Sequence, residues 1–254
     1  STDITDTPAY SGKPVITLIG MDTQGRFTGT KVLKHSEPIL LLGIPESSLI
    51  QFLGQYVGKF VGDAIEIGNS SDANATGIDG ISGATVTVIA ENQVLMASGM
   101  SVARQTGILK PMERAQAQFI TRHHQPDWQT LVEEGSVQPL QVNAQDVGLD
   151  ASEKPFIALW FGYLNTPDVG QAILGPANYV KLMAHLQPGE HAIFIIRTGG
   201  DESFKGSGFV RGGLYDRVQV RQEHDTFTFR DRDYLNLYGI AAAGAPAYNE
   251  SAIF

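Results

Sequence analysis

Cysteine is absent from these 254 residues. That removes disulfides, thiolate metal sites, iron–sulfur ligation and cysteine nucleophiles from the chain itself. It leaves the redox compartment open, because a cysteine-free chain is stable in either setting. Basic residues are also scarce: 18 Lys and Arg stand against 27 Asp and Glu, for a formal net charge of −9. No Lys/Arg-rich run occurs. Binding to nucleic acid, which depends on neutralising phosphates with Lys and Arg, is therefore not expected. No apolar stretch approaches the roughly 18 residues of a membrane span; the longest, 39–44 and 156–164, are strand-sized. No signal peptide is visible and the chain opens on Ser1 rather than Met. A mature or excised soluble fragment is the expectation. The dinucleotide fingerprint GxGxxG and the P-loop Gly-Lys-Ser/Thr are both missing, so neither nucleotide fold is indicated. Nothing marks a nicotinamide site, as a free-standing flavin reductase would need, and no Ser-His-Asp order with supporting context marks a hydrolase.

What is present begins with a hydrophobic content of 42%, ample for one or two buried cores. Val15, Thr17, Ile19 and Met21 alternate with Ile16, Leu18 and Gly20, and Asp22-Thr23-Gln24-Gly25 supplies a turn before Phe27 to Leu33. This predicts a hairpin. Pro45 ahead of Glu46-Ser47-Ser48 predicts a helix start, running to about Tyr56 with Gly54 inside it. The Gly/Asn/Asp/Ser-rich stretch 68–80 reads as loop. Ile89, Met96, Met100 and Ala103 recur at helical spacing, flanked by Val88, Leu95 and Val102. That predicts a helix beginning at Thr85 or just after it, with Arg104 in its last turn and Gly107 as its stop. Further helix is predicted over 111–121 and a short one near Trp128 to Glu134, within an otherwise irregular stretch 126–154. The second half reads strand (156–164), one helix from a cap at Thr166 or Asp168 to about Leu186, and strand (192–197). The helix places Ile173, Tyr179, Val180 and Met183 inward, and Pro188-Gly189 turns the chain. Hairpin segments follow over 208–220 and 226–229. The predicted fold class is α+β: residues 1–125 form an antiparallel sheet with helices, and residues 126–254 a smaller mixed α/β domain.

The stretch that carries chemistry is Asp79-Gly80-Ile81-Ser82-Gly83-Ala84-Thr85-Val86-Thr87. A flavin joined through its phosphate needs a hydroxyl acceptor with small neighbours. Thr85 offers the hydroxyl, and Gly83 and Ala84 permit close approach. The anion would be favoured at the helix start by unpaired N–H groups and the dipole, with Ser82 and Thr87 as extra hydroxyl donors. Asp79 cannot hold a phosphate by charge alone; it needs a bridging divalent cation or a role in recognition by the modifying enzyme. A plain N-cap arrangement reads the same residues equally well.

The whole nine-residue string resembles the flavinylation signature of the FMN-binding domain family, which includes flavin-carrying components of the sodium-translocating NADH:quinone reductase and of the Rnf complex. The resemblance implies covalent FMN on Thr85, attached from FAD by a flavin transferase. His35-Ser36-Glu37-Pro38 is similar to the family's His-x-Glu-Thr-Pro-Gly-Leu-Gly element, which makes His35 and Glu37 candidate cofactor residues. The sequence then departs, with Ile39-Leu40-Leu41-Leu42-Gly43. Three stretches, HSEPILLLGIPE (35–46), the motif itself and FKGSGFVRGGLYDRVQVRQ (204–222), resemble the periplasmic region of the NosR family, as do Gly189-Glu190-His191 and Gly244-Ala245-Pro246-Ala247. That family comprises membrane-bound regulators required for nitrous oxide respiration. The resemblance implies a periplasmic, membrane-anchored electron-transfer role. Transmembrane and iron–sulfur parts of the full-length chain, and nitrous oxide reductase or its maturation factors, would be the partners. A sensory or scaffolding module of the maturation complex is the alternative. No residue is assigned a catalytic role; Thr85 is an attachment point.

His123-His124 offers adjacent histidines without a third ligand at metal-site spacing, and no metal site is assigned. On a strand His35 and Glu37 would share a face. His185 and His191 read as surface or capping residues, and Trp128, Trp160 and Phe161 as core. Lys205, Arg211, Arg217 and Arg221 read as the solvated face of a hairpin, with a docking face for an acidic partner as the sharper reading.

Overall fold

The computed structural model describes residues 1–5, 7–68, 75–110, 118, 125–206, 213–222 and 224–254. The helix predicted over 111–121 (Gln118 apart), the pair His123-His124, and Gly208, Arg211 and Gly212 lie outside the described residues. In chain order the elements are β1 (Ile16–Met21), β2 (Phe27–Lys34), α1 (Pro38–Leu42), α2 (Glu46–Gly54), β3 (Ala64–Ile67), β4 (Ala75–Ile78) and α3 (Thr85–Gln105). They continue with α4 (Trp128–Glu133), β5 (Val137–Val142), β6 (Ile157–Tyr163), α5 (Pro167–Leu174), α6 (Pro176–His185), β7 (Ile193–Gly199), β8 (Leu214–Gln222), β9 (Asp225–Arg230) and β10 (Glu250–Ile253). Helices and largely antiparallel sheets make the class α+β. The chain divides into two compact units, residues 1–114 with 205–230 and residues 115–204 with 231–254.

In the first unit β1 and β2 pair antiparallel. The Asp22 side chain accepts from the N–H groups of Gln24 (2.9 Å) and Arg26 (2.8 Å), which sets the turn between them. The core gathers Phe27, Leu49, Phe52, Leu53, Tyr56 and Leu95, all essentially without exposure. Gly54 ends α2 instead of sitting inside it, so its low helix propensity is spent where the helix stops. Residues 75–78, expected as loop, form β4 in parallel register with β3. Only Ile78 of that strand is buried, so the run lacked the apolar alternation that betrays a strand.

The β8–β9 hairpin belongs to this same unit. It is fastened near its tip: His224 Nδ1 lies 2.7 Å from the Gly62 carbonyl oxygen, Arg221 pairs with Glu66 at 2.5 Å, and Asp225 pairs with Arg104 at 2.7 Å. A Cβ on Gly62 would fall 2.9 Å from the His224 ring and 2.6 Å from Phe60, so only glycine admits the tip there. Arg221 is thus half-buried in an ion pair, not a solvated charge.

The second unit holds a four-stranded antiparallel sheet in the order β10-β7-β6-β5. Its core includes Trp128, Leu131, Phe194, Ile173 and Ile196, with Trp128 edge-on to Trp160 and Phe194. Phe161, read as core, is 38% exposed. The single helix expected from 166 to 186 is two, because Gly175 takes φ +75° and Pro176 opens the next helix. The rotation this introduces leaves Val180 65% exposed and buries Leu182 instead. β5, expected as irregular, is an edge strand containing Pro139, as proline at an edge allows. Among the described residues no helix is long and apolar enough to cross a membrane.

Candidate functional site

Thr85 is the first residue of α3, a helix of 21 residues. Ala84 occupies the N-cap position, no side chain caps the helix, and its first turn carries no acid. The first-turn N–H groups, which have no partner inside any helix, are therefore not satisfied by a capping side chain. They sit at the positive end of the helix dipole. Ser82 and Gly83 just before them are exposed, Ala84 is buried and Thr85 is half-buried. Gly83 takes φ +80°, and a Cβ there would meet only Ile44 Cδ1, at 3.7 Å. A hydroxyl beside uncapped amides, with room in front of it, is a donor set that fits a phosphate ester.

Two residues further on, Thr87 does something else. It is buried, and its hydroxyl donates to Glu37 Oε2. Glu37 has no exposure, and its other oxygen accepts from the Ser11 N–H at 3.0 Å. Thr87 thus faces the interior and is committed to a carboxyl. Glu37 holds the start of α3 to the 11–13 turn. His35 and Glu37 do not share a strand face, because β2 ends at Lys34. Glu37 is the N-cap residue of α1, while His35 Nε2 lies 3.8 Å from Glu46 Oε1 and its buried Nδ1 has no partner. Asp79 is exposed, and Gln55 pins its backbone, donating from Nε2 to the Asp79 carbonyl (3.0 Å) and accepting its N–H (2.8 Å). The structure thus brings Glu37 and Thr87 together, groups Ser82, Gly83 and Ala84 beside Thr85, and gives His35 and Asp79 separate partners.

One turn after Thr87 stands Glu91, 1% exposed. Its Oε1 accepts from the Thr17 hydroxyl, and its Oε2 has no partner. Burial pushes this carboxyl up to about 7; the Thr17 hydrogen bond pulls it down and the charge of Glu37 adds to the rise. Lower on the same face the Ser98 and Thr5 hydroxyls are hydrogen-bonded at 3.4 Å, and either can be the donor. Tyr56, buried, donates to Asn92 Oδ1 at 2.7 Å. Burial raises its phenol well above the ordinary value, helped by the negative charge of Glu91. Sequence reasoning missed Thr17, Tyr56, Glu91 and Asn92. The one signal for Glu91 was an acid at helical spacing between Val88 and Leu95, on a face otherwise destined for burial.

Trp128 is buried in the second unit, and His191 is exposed with Nδ1 2.5 Å from the Tyr163 hydroxyl. His185 is exposed in the last turn of α6. Among the described residues no group of three or more His, Asp or Glu is placed to hold a metal.

Residues 10–97 match the FMN-binding domain, a span that contains His35, Glu37 and the whole of 79–87. The chain is 40% identical to the Regulatory protein NosR of Pseudomonas aeruginosa over 99% of its own length and 38% of that protein. It is 39% identical to the Regulatory protein NosR of Stutzerimonas stutzeri and 27% identical to Protein NirI of Paracoccus denitrificans, in each case over 99% of this chain and 37% of the relative. The chain therefore spans well under half the length of the curated relatives it matches. No solved structure matches it. Over residues 10–97 the chain is a member of the FMN-binding domain family, within a longer stretch of homology to the NosR proteins.

Proposed function

We propose that Thr85 carries FMN as a phosphate ester and that the chain is a periplasmic electron-transfer module of a membrane-anchored regulator. The observation that carries this reading is the uncapped start of α3, with a half-buried threonine hydroxyl as its first residue and an exposed Ser82-Gly83 approach. Attachment balances as attack of the Thr85 oxygen on the FMN-side phosphorus of FAD. The phosphoanhydride breaks, AMP leaves, and the hydroxyl proton is released. A flavin transferase performs that step.

When bound, the flavin supplies redox chemistry that no side chain of this chain possesses. The chain's own residues hold it. Thr85 tethers it, the first-turn amides and helix dipole stabilise its phosphate, and Gly83 and Ala84 keep the approach clear. Ser82 adds an exposed hydroxyl, and Asp79, exposed on a backbone fixed by Gln55, suits recognition by the transferase. Glu37 and Thr87 act from inside, fixing the turn that presents Thr85; His35 supports the same loop through Glu46. Loaded with flavin, the chain would serve as a relay between membrane redox centres in the remainder of the full-length protein and a periplasmic acceptor. The process served is activation or maturation of nitrous oxide reductase.

The test is intact mass and visible spectrum of protein exported into a periplasm that contains the transferase. The expected result is a yellow chain heavier by one FMN ester, and a colourless Thr85→Ala variant of unmodified mass. An unmodified, colourless wild-type chain under those conditions would leave a non-redox scaffold as the better account.

A further inference from the structure

The outer face of the β1–β2 hairpin takes no part in the core or in the site at α3. Successive strand residues point to opposite faces. Thr17, Ile19, Met21 and Val32 serve the inner face: Thr17 is fully buried, and the other three pack against the core of the first unit. On the outer face Leu18 stands directly opposite Lys31, and Ile16 opposite Lys34. The register slips between Ile16 and Thr17, which makes Leu33 an extra residue on β2. A bulge of that kind re-aims its side chain. Leu18 is 47% exposed and Leu33 51%, and both lysines are exposed. Two large aliphatic side chains thus stand in water, each beside a lysine.

The charge of this region runs against that of the chain. Between the acids Asp6 and Glu37 the sequence holds four bases, Lys13, Arg26, Lys31 and Lys34, and a single acid, Asp22. The Asp22 carboxylate is occupied by the N–H groups of its own turn. Neither strand contains an acid. Among the described residues neither Lys31 nor Lys34 takes part in an ion pair. A chain of net charge −9 therefore presents one sheet face that is locally positive and partly apolar.

The composition of the face separates two kinds of partner. Protein interfaces are enriched in Trp, Tyr, Phe, Met and Arg and depleted in Lys, and their binding energy concentrates on Trp, Tyr and Arg rather than on Leu. The outer face carries none of the favoured residues. An anionic lipid surface asks for the pair that is there. Aliphatic side chains enter the boundary between headgroups and acyl chains, while lysine stems lie along it and keep their ammonium groups at the phosphates. Charges of the chain farther away than a Debye length are screened from that contact, so the local sign decides and not the net charge.

We propose that the outer face of β1–β2 docks on an anionic phospholipid surface, with Leu18 and Leu33 entering the interface and Lys31 and Lys34 meeting lipid phosphates. This goes beyond the function proposed above and needs no flavin on Thr85. The contact is weak by itself, since each lysine near such a surface multiplies affinity by roughly five. It orients the module on the surface and does not anchor it.

Co-sedimentation with vesicles tests it. One set is phosphatidylglycerol mixed with phosphatidylethanolamine, the other phosphatidylcholine alone. At low salt the chain is expected on the phosphatidylglycerol vesicles and not on phosphatidylcholine, and high salt is expected to release it. Lys31→Glu with Lys34→Glu should lower the bound fraction roughly tenfold or more. Lys154→Glu with Lys181→Glu, at exposed positions of the second unit, changes the net charge equally and should bind nearly as the wild type does. Urea melts confirm that both pairs keep wild-type stability, as exposed substitutions do. Leu18→Trp should add an emission that shifts to the blue on these vesicles and is quenched by lipids brominated on the acyl chain. Equal loss from the two lysine pairs would reduce the effect to net charge and overturn the proposal. A bound Leu18→Trp variant whose added emission does not shift would put another face on the lipid, with the same consequence. So would a wild-type chain that stays off phosphatidylglycerol at low salt; slowed acetylation of Lys31 and Lys34 in the full-length protein would then give the face to an acidic protein instead.

Discussion

Along one side of α3, Thr87, Glu91 and Ser98 are buried and each meets a side chain from another segment: Glu37, Thr17 and Thr5. Along the other, Ile89, Asn92 and Met96 border a cavity. Both sides belong to one continuous helix and differ by about half a turn, yet they answer different demands. A buried polar group must be paired or it costs roughly 1–3 kcal/mol, so the interior side is closed by specific partners that fix how α3 sits in its unit. The cavity side is left underfilled, which a core would not tolerate without a penalty growing with empty volume. The interior side behaves as a clamp, and the open side as a surface kept for something else.

The sharpest way to break the comparison is to remove the clamp. Glu37→Ala leaves the buried Thr87 hydroxyl and the part-buried Ser11 N–H without their acceptor. An unsatisfied buried donor costs about 1–3 kcal/mol, and the space left by the side chain adds to it, for about 4 kcal/mol in all. The expected outcome is a fall of that size in unfolding free energy by urea melt, with the slope of the transition unchanged. Wild-type stability in that variant would remove the clamp from the account.

A second clamp residue can be read through pH. The Glu91 carboxyl rises from 4.5 to about 7 in the folded protein. Between those values the folded state binds more protons than the unfolded one, so stability falls as pH rises. The contribution is full below pH 4.5, declines through about 7 and then levels. A shift of that length corresponds to about 3 kcal/mol. Glu91→Gln keeps an acceptor for Thr17 and cannot ionise. Its unfolding free energy minus that of the wild type should therefore grow by about 3 kcal/mol from pH 4.5 to 8. A difference that stays flat with pH would mean that Glu91 does not titrate in this window.

The open side and the clamp were not equally legible in the sequence. α3 was, because Ile89, Met96 and Met100 repeat at helical spacing and Gly107 stops them. The β1–β2 hairpin was, because Asp22 to Gly25 is a turn with few alternatives. Thr85 was legible as a hydroxyl at a helix start, and the N-cap position falls on Ala84 instead; the flavin reading of Thr85 comes from the family resemblance and stands as the proposal made above. The clamp was hidden for a physical reason. Glu37, Glu91 and Thr17 are 26 to 74 residues from the groups they meet, and a charge pattern along the chain gives no sign of pairing through space. The pairing of His35 with Glu37 failed likewise, since a strand was assumed where β2 had already ended. The cavity wall at 215–228 was invisible because nothing in a hairpin's composition says which unit it returns to. The break at Gly175-Pro176 is carried by residue types that end one helix and open the next, but the longer apolar period running through it masks the signal.

The finest contrast sets two threonines two residues apart. Thr85 is half-buried at the helix start, and Thr87 points inward to Glu37. Thr87→Val removes one hydrogen bond to a buried carboxyl while keeping shape, and should cost about 2 kcal/mol. Thr85→Ala removes a side chain that clamps nothing, and should fall within about 0.5 kcal/mol of wild type. Flavin content should invert that order: the Thr87 variant keeps its FMN ester by intact mass as long as it folds, and the Thr85 variant has none. Both quantities are read on the same two samples, by urea melt and mass. If the Thr87 variant folded and lost FMN while the Thr85 variant kept it, the inward and outward assignments along α3 would have to be exchanged.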